Sequence, residues 1–154
     1  MACHGVWYHT SRMSCPCFEP LEPRPCADAA RRAMLPLGDA WTGVCRAAPD
    51  QPFQPEPALL DPFCNFGYAR GHCAHFPAAL APDAARFTIL SDDGAALRLY
   101  YVLERDHRPY AYGPLSFSVE RDQLTTPAEG LFTAAQARAY AIGYLRRKSE
   151  SDRP

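Results

Sequence analysis

The sequence predicts an α+β domain: a small three-stranded antiparallel meander packed by a C-terminal helix, beside an irregular N-terminal half rich in cysteine and proline. Three observations lead there. All seven cysteines, four of the five histidines and twelve of the sixteen prolines fall before residue 83. Strict apolar/polar alternation, the signature of half-buried strands, begins only after it. The last stretch carries a helix-start signal followed by apolar residues at helical spacing. With 154 residues, 47% of them hydrophobic, the chain has apolar material for one modest core. Residues 1–82, the metal-binding half, and residues 83–154, the meander with its helix, are therefore expected to pack together as one domain.

The first half runs through PCFEPLEPRP, PDQPFQPEP and DPFCNFGYARG. Such repeated turn-formers disfavour long helices and central strands, because proline lacks the amide donor that either ladder needs. A short helix over 28–34 is the one regular element expected there. Irregular backbone of this length buries little against its conformational entropy and needs a constraint. Trp7, Tyr8, Trp41, Phe53, Phe63, Phe66, Tyr68 and Phe76 argue against disorder, which is poor in aromatics. A metal that cross-links distant loops would supply the constraint.

In the second half, Phe87–Leu90, a turn at Ser91–Gly94 and Leu97–Glu104 read as a hairpin, with Leu97, Leu99, Tyr101 and Leu103 alternating with Arg98, Tyr100, Val102 and Glu104. A second turn at Arg105–Pro109, containing His107, leads to a third strand at Tyr110–Ser118, where Gly113 and Pro114 are expected to mark a bulge or a strand end. Thr133 and Gln136 have the spacing of a capping box, with Phe132 set to staple onto Ala137. A helix from Ala134 to about Lys148 follows, its stripe of Ala137, Tyr140, Ala141, Tyr144 and Leu145 facing the meander. Arg146, Arg147 and Lys148 are expected as a solvated basic end at the negative pole of the helix.

Net charge is −1, with 16 basic and 17 acidic residues, so no overall field draws the chain to nucleic acid or an anionic membrane. No signal-like leader or membrane-length apolar run occurs, and a cytoplasmic location is expected. In that reducing setting, seven cysteines point to metal ligation or thiol chemistry rather than disulfides. They are Cys3, Cys15, Cys17, Cys26, Cys45, Cys64 and Cys73, with no CxxC pair. The lack of close chelating pairs counts against a zinc knuckle and a thioredoxin-like site. Dispersed thiolates in Pro- and Gly-rich loops under aromatic cover suit a cuboidal iron–sulfur cluster (4Fe-4S), which needs four sulfurs converging from any direction.

Cys15, Cys45, Cys64 and Cys73 are the expected ligands: three sit beside glycines or aromatics, and the fourth precedes a proline that turns the chain away. Cys17 and Cys26 are the alternates, as are His72 and His75, which flank Cys73 and would favour zinc. Cys3, His4 and His9 are expected to be bystanders near the terminus. A cluster implies electron transfer or redox sensing and a redox or regulatory protein partner. The alternatives are a zinc-stabilised module that engages protein or nucleic acid, and a thiol enzyme using Cys73. Nucleotide-binding, α/β-hydrolase and zinc-protease signatures are absent, which argues against those enzymes.

Overall fold

The computed structural model describes residues 14–24, 35–79, 82–128 and 131–154. Among these, sheet dominates. Two antiparallel sheets, of two and four strands, are joined by a C-terminal helix, which corrects the expectation of a single three-stranded meander beside an irregular half. The expected helix at 28–34, together with Cys3, Cys26, His4 and His9, lies outside the described residues.

The first half forms a ribbon in which β1 (Phe18–Arg24) pairs antiparallel with β2 (Ala40–Cys45). Proline-rich sequence folds as a strand here because a two-stranded ribbon is all edge, so a missing N–H can face outward without breaking a ladder. The register slips between Pro20 and Glu22, turning Leu21 out to solvent. Gly43 permits the close approach, since a Cβ there would stand 2.0 Å from the Glu19 carbonyl oxygen. A short helix, α1 (Pro57–Leu59), then runs into a π-helical turn over Leu60–Cys64. Pro62, without an amide N–H, interrupts the regular ladder, and the Asn65 amide closes the wider ring onto the Leu60 carbonyl at 3.1 Å.

The second sheet orders β3 (Ala84–Asp92), β4 (Ala96–Arg105), β5 (Arg108–Ser118) and β6 (Gln123–Leu124) consecutively. The alternation in β4 does what it implies: Leu97, Leu99, Tyr101 and Leu103 are buried. Gly113 and Pro114 mark neither a bulge nor an end. They sit inside β5 in register with Tyr101 and Tyr100, and β6 pairs only with residues 117 and 118, so the face of Pro114 that lacks an N–H meets no strand. The register shifts fall instead at Ile89/Ser91 and Leu103/Glu104.

The helix α2 (Leu131–Ser151) starts earlier and ends later than expected. Thr133 and Gln136 form no capping box, because Thr133 lies inside the helix and Gln136 is fully buried with its amide engaged elsewhere. Ala137 and Ala141 are wholly buried and Tyr140, Tyr144 and Leu145 pack against the core. The helix touches both β1 and the meander, so one core spans the two sheets. Its basic end is not simply solvated. Arg146 pairs with buried Asp39, Arg147 donates to the Gly38 carbonyl at 2.8 Å, and Lys148 reaches Asp92 at 2.7 Å. Gly38 takes φ 78°, the left-handed region that favours glycine, with the Arg147 guanidinium against its open face. Among the described residues, no helix is long and apolar enough to cross a membrane.

Candidate functional site: a five-cysteine pocket

Four separate chain segments bring five cysteines to one pocket. Cys15, Cys17, Cys45, Cys64 and Cys73 line it with Phe18, Phe63, Phe76 and His75. None is in a disulfide, and all but Cys73 are buried. The free volume is about 20 Å³.

Each segment is placed for a local reason. Cys15 and Cys17 occupy a tight turn closed by the Phe18 amide on the Cys15 carbonyl at 3.1 Å, with Pro16 where a turn's fixed φ is wanted. Gln136 of the helix holds that turn: its Nε2 donates to the Cys15 carbonyl at 2.6 Å and the Phe18 carbonyl at 2.8 Å, while its Oε1 accepts from the Ser14 hydroxyl at 3.0 Å. Ser14 exchanges backbone hydrogen bonds with Ala85 of β3, and the Cys15 amide donates to the Cys64 carbonyl.

Cys45 ends β2, paired with Phe53 by two backbone hydrogen bonds. Cys64 closes the π-helical turn, which Asn65 fastens to β2. The Asn65 side chain accepts from the Trp41 amide at 3.0 Å and donates to the Trp41 and Leu60 carbonyls, acting as a short piece of strand. Cys73 follows a loop carrying Gly67, Tyr68 and Gly71 at positive φ. Its amide bonds the Ala69 carbonyl at 2.8 Å. Arg70 ties the loop to the meander through Asp83 at 2.5 Å, and Asp83 also accepts from the Asp106 amide at 2.9 Å.

Burial pushes the Cys64 thiol up to about 12, with the neighbouring thiols Cys45, Cys73 and Cys17 adding to it. Burial raises Cys45 too, with Cys17 and Cys73 contributing. Cys15 and Cys17 share a hydrogen bond that raises the first and lowers the second. Cys15, Cys45 and Cys64 are thus held as neutral thiols that would release protons on binding a metal.

All four expected ligands, Cys15, Cys45, Cys64 and Cys73, line the pocket, as do the alternates Cys17 and His75. His72 does not. Among the described residues, no three His, Cys, Asp or Glu side chains are set to hold a metal ion as they stand. The donors ring a pocket instead of closing on a point. Sequence reasoning missed Gln136 and Asn65, the two buried amides that position this ring. Compared with protein-family models, curated proteins and solved structures, the chain matches none.

Proposed function

We propose that the chain binds a metal centre through four of these five cysteines, as a 4Fe-4S cluster with an electron-transfer or redox-sensing role. The observation that carries it is the convergence of five unpaired cysteines, from segments up to 58 positions apart (Cys15 to Cys73), on one apolar pocket. A hydrophobic core has no need of sulfur in five of its walls. Phe18, Phe63 and Phe76 line the same pocket and supply the apolar shield that tunes a cluster's potential.

Cys45, Cys64 and Cys73 are three of the ligands. The fourth comes from the turn that carries Cys15 and Cys17, both of which line the pocket. When bound, such a cluster supplies one-electron chemistry. The chain's own residues exclude water and hold the sulfurs in place.

Absorption and metal analysis of protein purified without oxygen test the reading. Brown protein with a broad band near ~400 nm and about four irons per chain supports it. In that case the double variant Cys15→Ser, Cys17→Ser is expected to lose most of the iron. Colourless protein with stoichiometric zinc would replace it with the structural-module reading, and metal-free folded protein with one hyper-reactive thiol would replace it with the thiol-enzyme reading.

A further inference from the structure

The turn between β4 and β5 is made from unusual residues for its shape. Arg105 and Arg108 pair across it, and the two residues between them, Asp106 and His107, stand at φ 50° and φ 61°. Such a turn is ordinarily Asn-Gly, because glycine enters the left-handed region without strain. Here the second position carries a ring instead, and that ring lies flat on the Tyr68 ring, with centroids 4.1 Å apart and planes 7° from parallel. Tyr68 is itself at φ 52°, so three of the four non-glycine residues at positive φ among the described residues sit at this one junction. A bulky side chain holds such a φ only where its surroundings fix it. The Tyr68 phenol donates to the Glu104 carboxylate of β4, and its amide donates to the Asp83 carbonyl at 3.3 Å. The cysteine pocket begins at the next residue. Ala69 is buried in the pocket wall, and its carbonyl accepts from the amides of His72 at 3.0 Å and Cys73 at 2.8 Å.

We propose that His107 is a positioning residue for the cysteine pocket: its ring clamps Tyr68 in left-handed backbone, and Tyr68 fixes Ala69 and, through the Ala69 carbonyl, Cys73. What this implies for metal retention rests on the metal reading above, whereas what it implies for the loop does not. The path is short and continuous. The stack fixes the Tyr68 ring, Glu104 fixes its hydroxyl and Asp83 fixes its amide, so the chain enters the Ala69–Cys73 turn from one direction. Arg70 anchors the same loop to the Asp83 carboxylate at 2.5 Å, and the Asp106 amide bonds that carboxylate at 2.9 Å, which joins turn and loop a second time. The turn itself has no use for an imidazole, since glycine would make it with less strain. The ring of His107 therefore serves the loop it covers.

The test compares His107→Gly with His107→Phe in the full chain, carrying whatever metal it is purified with. H107G keeps the turn and removes the ring. Amide exchange at Tyr68, His72 and Cys73 is expected to quicken about fivefold, the worth of one ring-on-ring contact, while the β4–β5 amides and the urea midpoint hold. H107F keeps a ring over Tyr68 and is expected to keep the wild-type exchange. In protein that holds a metal, its loss to a chelator should quicken by a similar factor in H107G and stay slow in H107F. Wild-type exchange in H107G, equal exchange in the two variants, or a rise spread evenly over β4 and β5 would overturn the inference. Protein without metal would fail the metal reading and leave the exchange comparison to decide the loop. Quickened exchange without quickened metal loss would overturn the positioning role and leave the metal centre standing.

Discussion

The meander and the cysteine-bearing half are both built from antiparallel strands, yet they are held by different means. In the meander, β3, β4 and β5 pair along nearly their whole lengths, and the register repeats a rule that any adjacent residues obey. In the first half the ladder is short, and three of the segments that carry the cysteines are fixed by single side chains, two reaching across to backbone and one to a guanidinium. Gln136 holds the Cys15–Cys17 turn, Asn65 holds the Cys64 turn, and Asp83 holds the loop to Cys73. A ladder loses little when one residue changes. A side-chain tie is lost with its residue.

Gln136→Leu is the largest break expected. It keeps the volume but removes three buried hydrogen bonds, the Cys15 carbonyl keeping the Phe18 amide and the Ser14 hydroxyl keeping the Ala85 carbonyl, at about 1–1.5 kcal/mol for each bond lost and so about 4 kcal/mol together. Urea unfolding would measure that loss. On the proposed metal reading, metal retention should fall with it, because the turn bearing Cys15 and Cys17 is released. Retention of both stability and metal in Q136L would show that the turn is held by its own geometry.

Asn65→Ala comes next. Three hydrogen bonds vanish, two of them to Trp41, and about 3 kcal/mol is expected from the same bookkeeping. The distinguishing readout is local. Amide exchange at Trp41 and Leu60–Cys64 should speed while the β4–β5 ladder keeps its protection. Uniform loss of protection would mean that the two regions unfold as one and that the contrast between them is only geometric.

Much of the meander was legible because period two is a local property. Leu97, Leu99, Tyr101 and Leu103 needed no knowledge of any other segment to be read as buried. The β1–β2 ribbon was not legible for the opposite reason. Its prolines are penalties only in a strand paired on both sides, and no neighbourhood of residues 18–24 says how many partners they will have. Gln136 was misread because a Thr-x-x-Gln spacing describes a helix start equally well when the glutamine serves three groups more than a hundred positions away. The five-cysteine pocket was legible in part. Residue type and setting picked out Cys15, Cys45, Cys64 and Cys73, while the nearness of Cys17 to the same sulfurs depends on a turn whose direction is set by the helix.

Asp83 sits where the two regions meet, and its effect depends on pH. Burial works to raise its carboxyl, but the Asp106 amide and the Arg70 guanidinium outweigh that and hold it below the usual carboxylate range. A group depressed in the folded state stabilises it above the unfolded value of about 3.9 and loses that contribution as pH falls through the folded value. Asp83→Asn is expected to cost about 2 kcal/mol at neutral pH, as one charge-assisted hydrogen bond becomes a neutral one beside a partly exposed arginine. The difference from wild type should shrink in acid and vanish once Asp83 is protonated in both states, which urea midpoints taken from about pH 7 to pH 2.5 would reveal. A constant difference across that range would place the effect in packing rather than in the ion pair.

The smallest effect tests the other side of the contrast. Tyr112 is 63% exposed on β5, with its ring 6.3 Å from that of Tyr100. Replacing it by serine removes that one cross-strand contact and leaves the backbone pairing with Val102 in place. Such a pair is worth under about 1 kcal/mol, so Tyr112→Ser should shift the urea midpoint slightly and leave metal content unchanged. A ladder can absorb this loss because its neighbours on both sides hold the register. If Y112S instead released a metal that the wild type holds, the outer face of the meander would be coupled to the cysteine pocket through β4. Glu104 would be the link to examine, since it lies on that strand and joins Arg86 to Tyr68 of the cysteine-bearing loop.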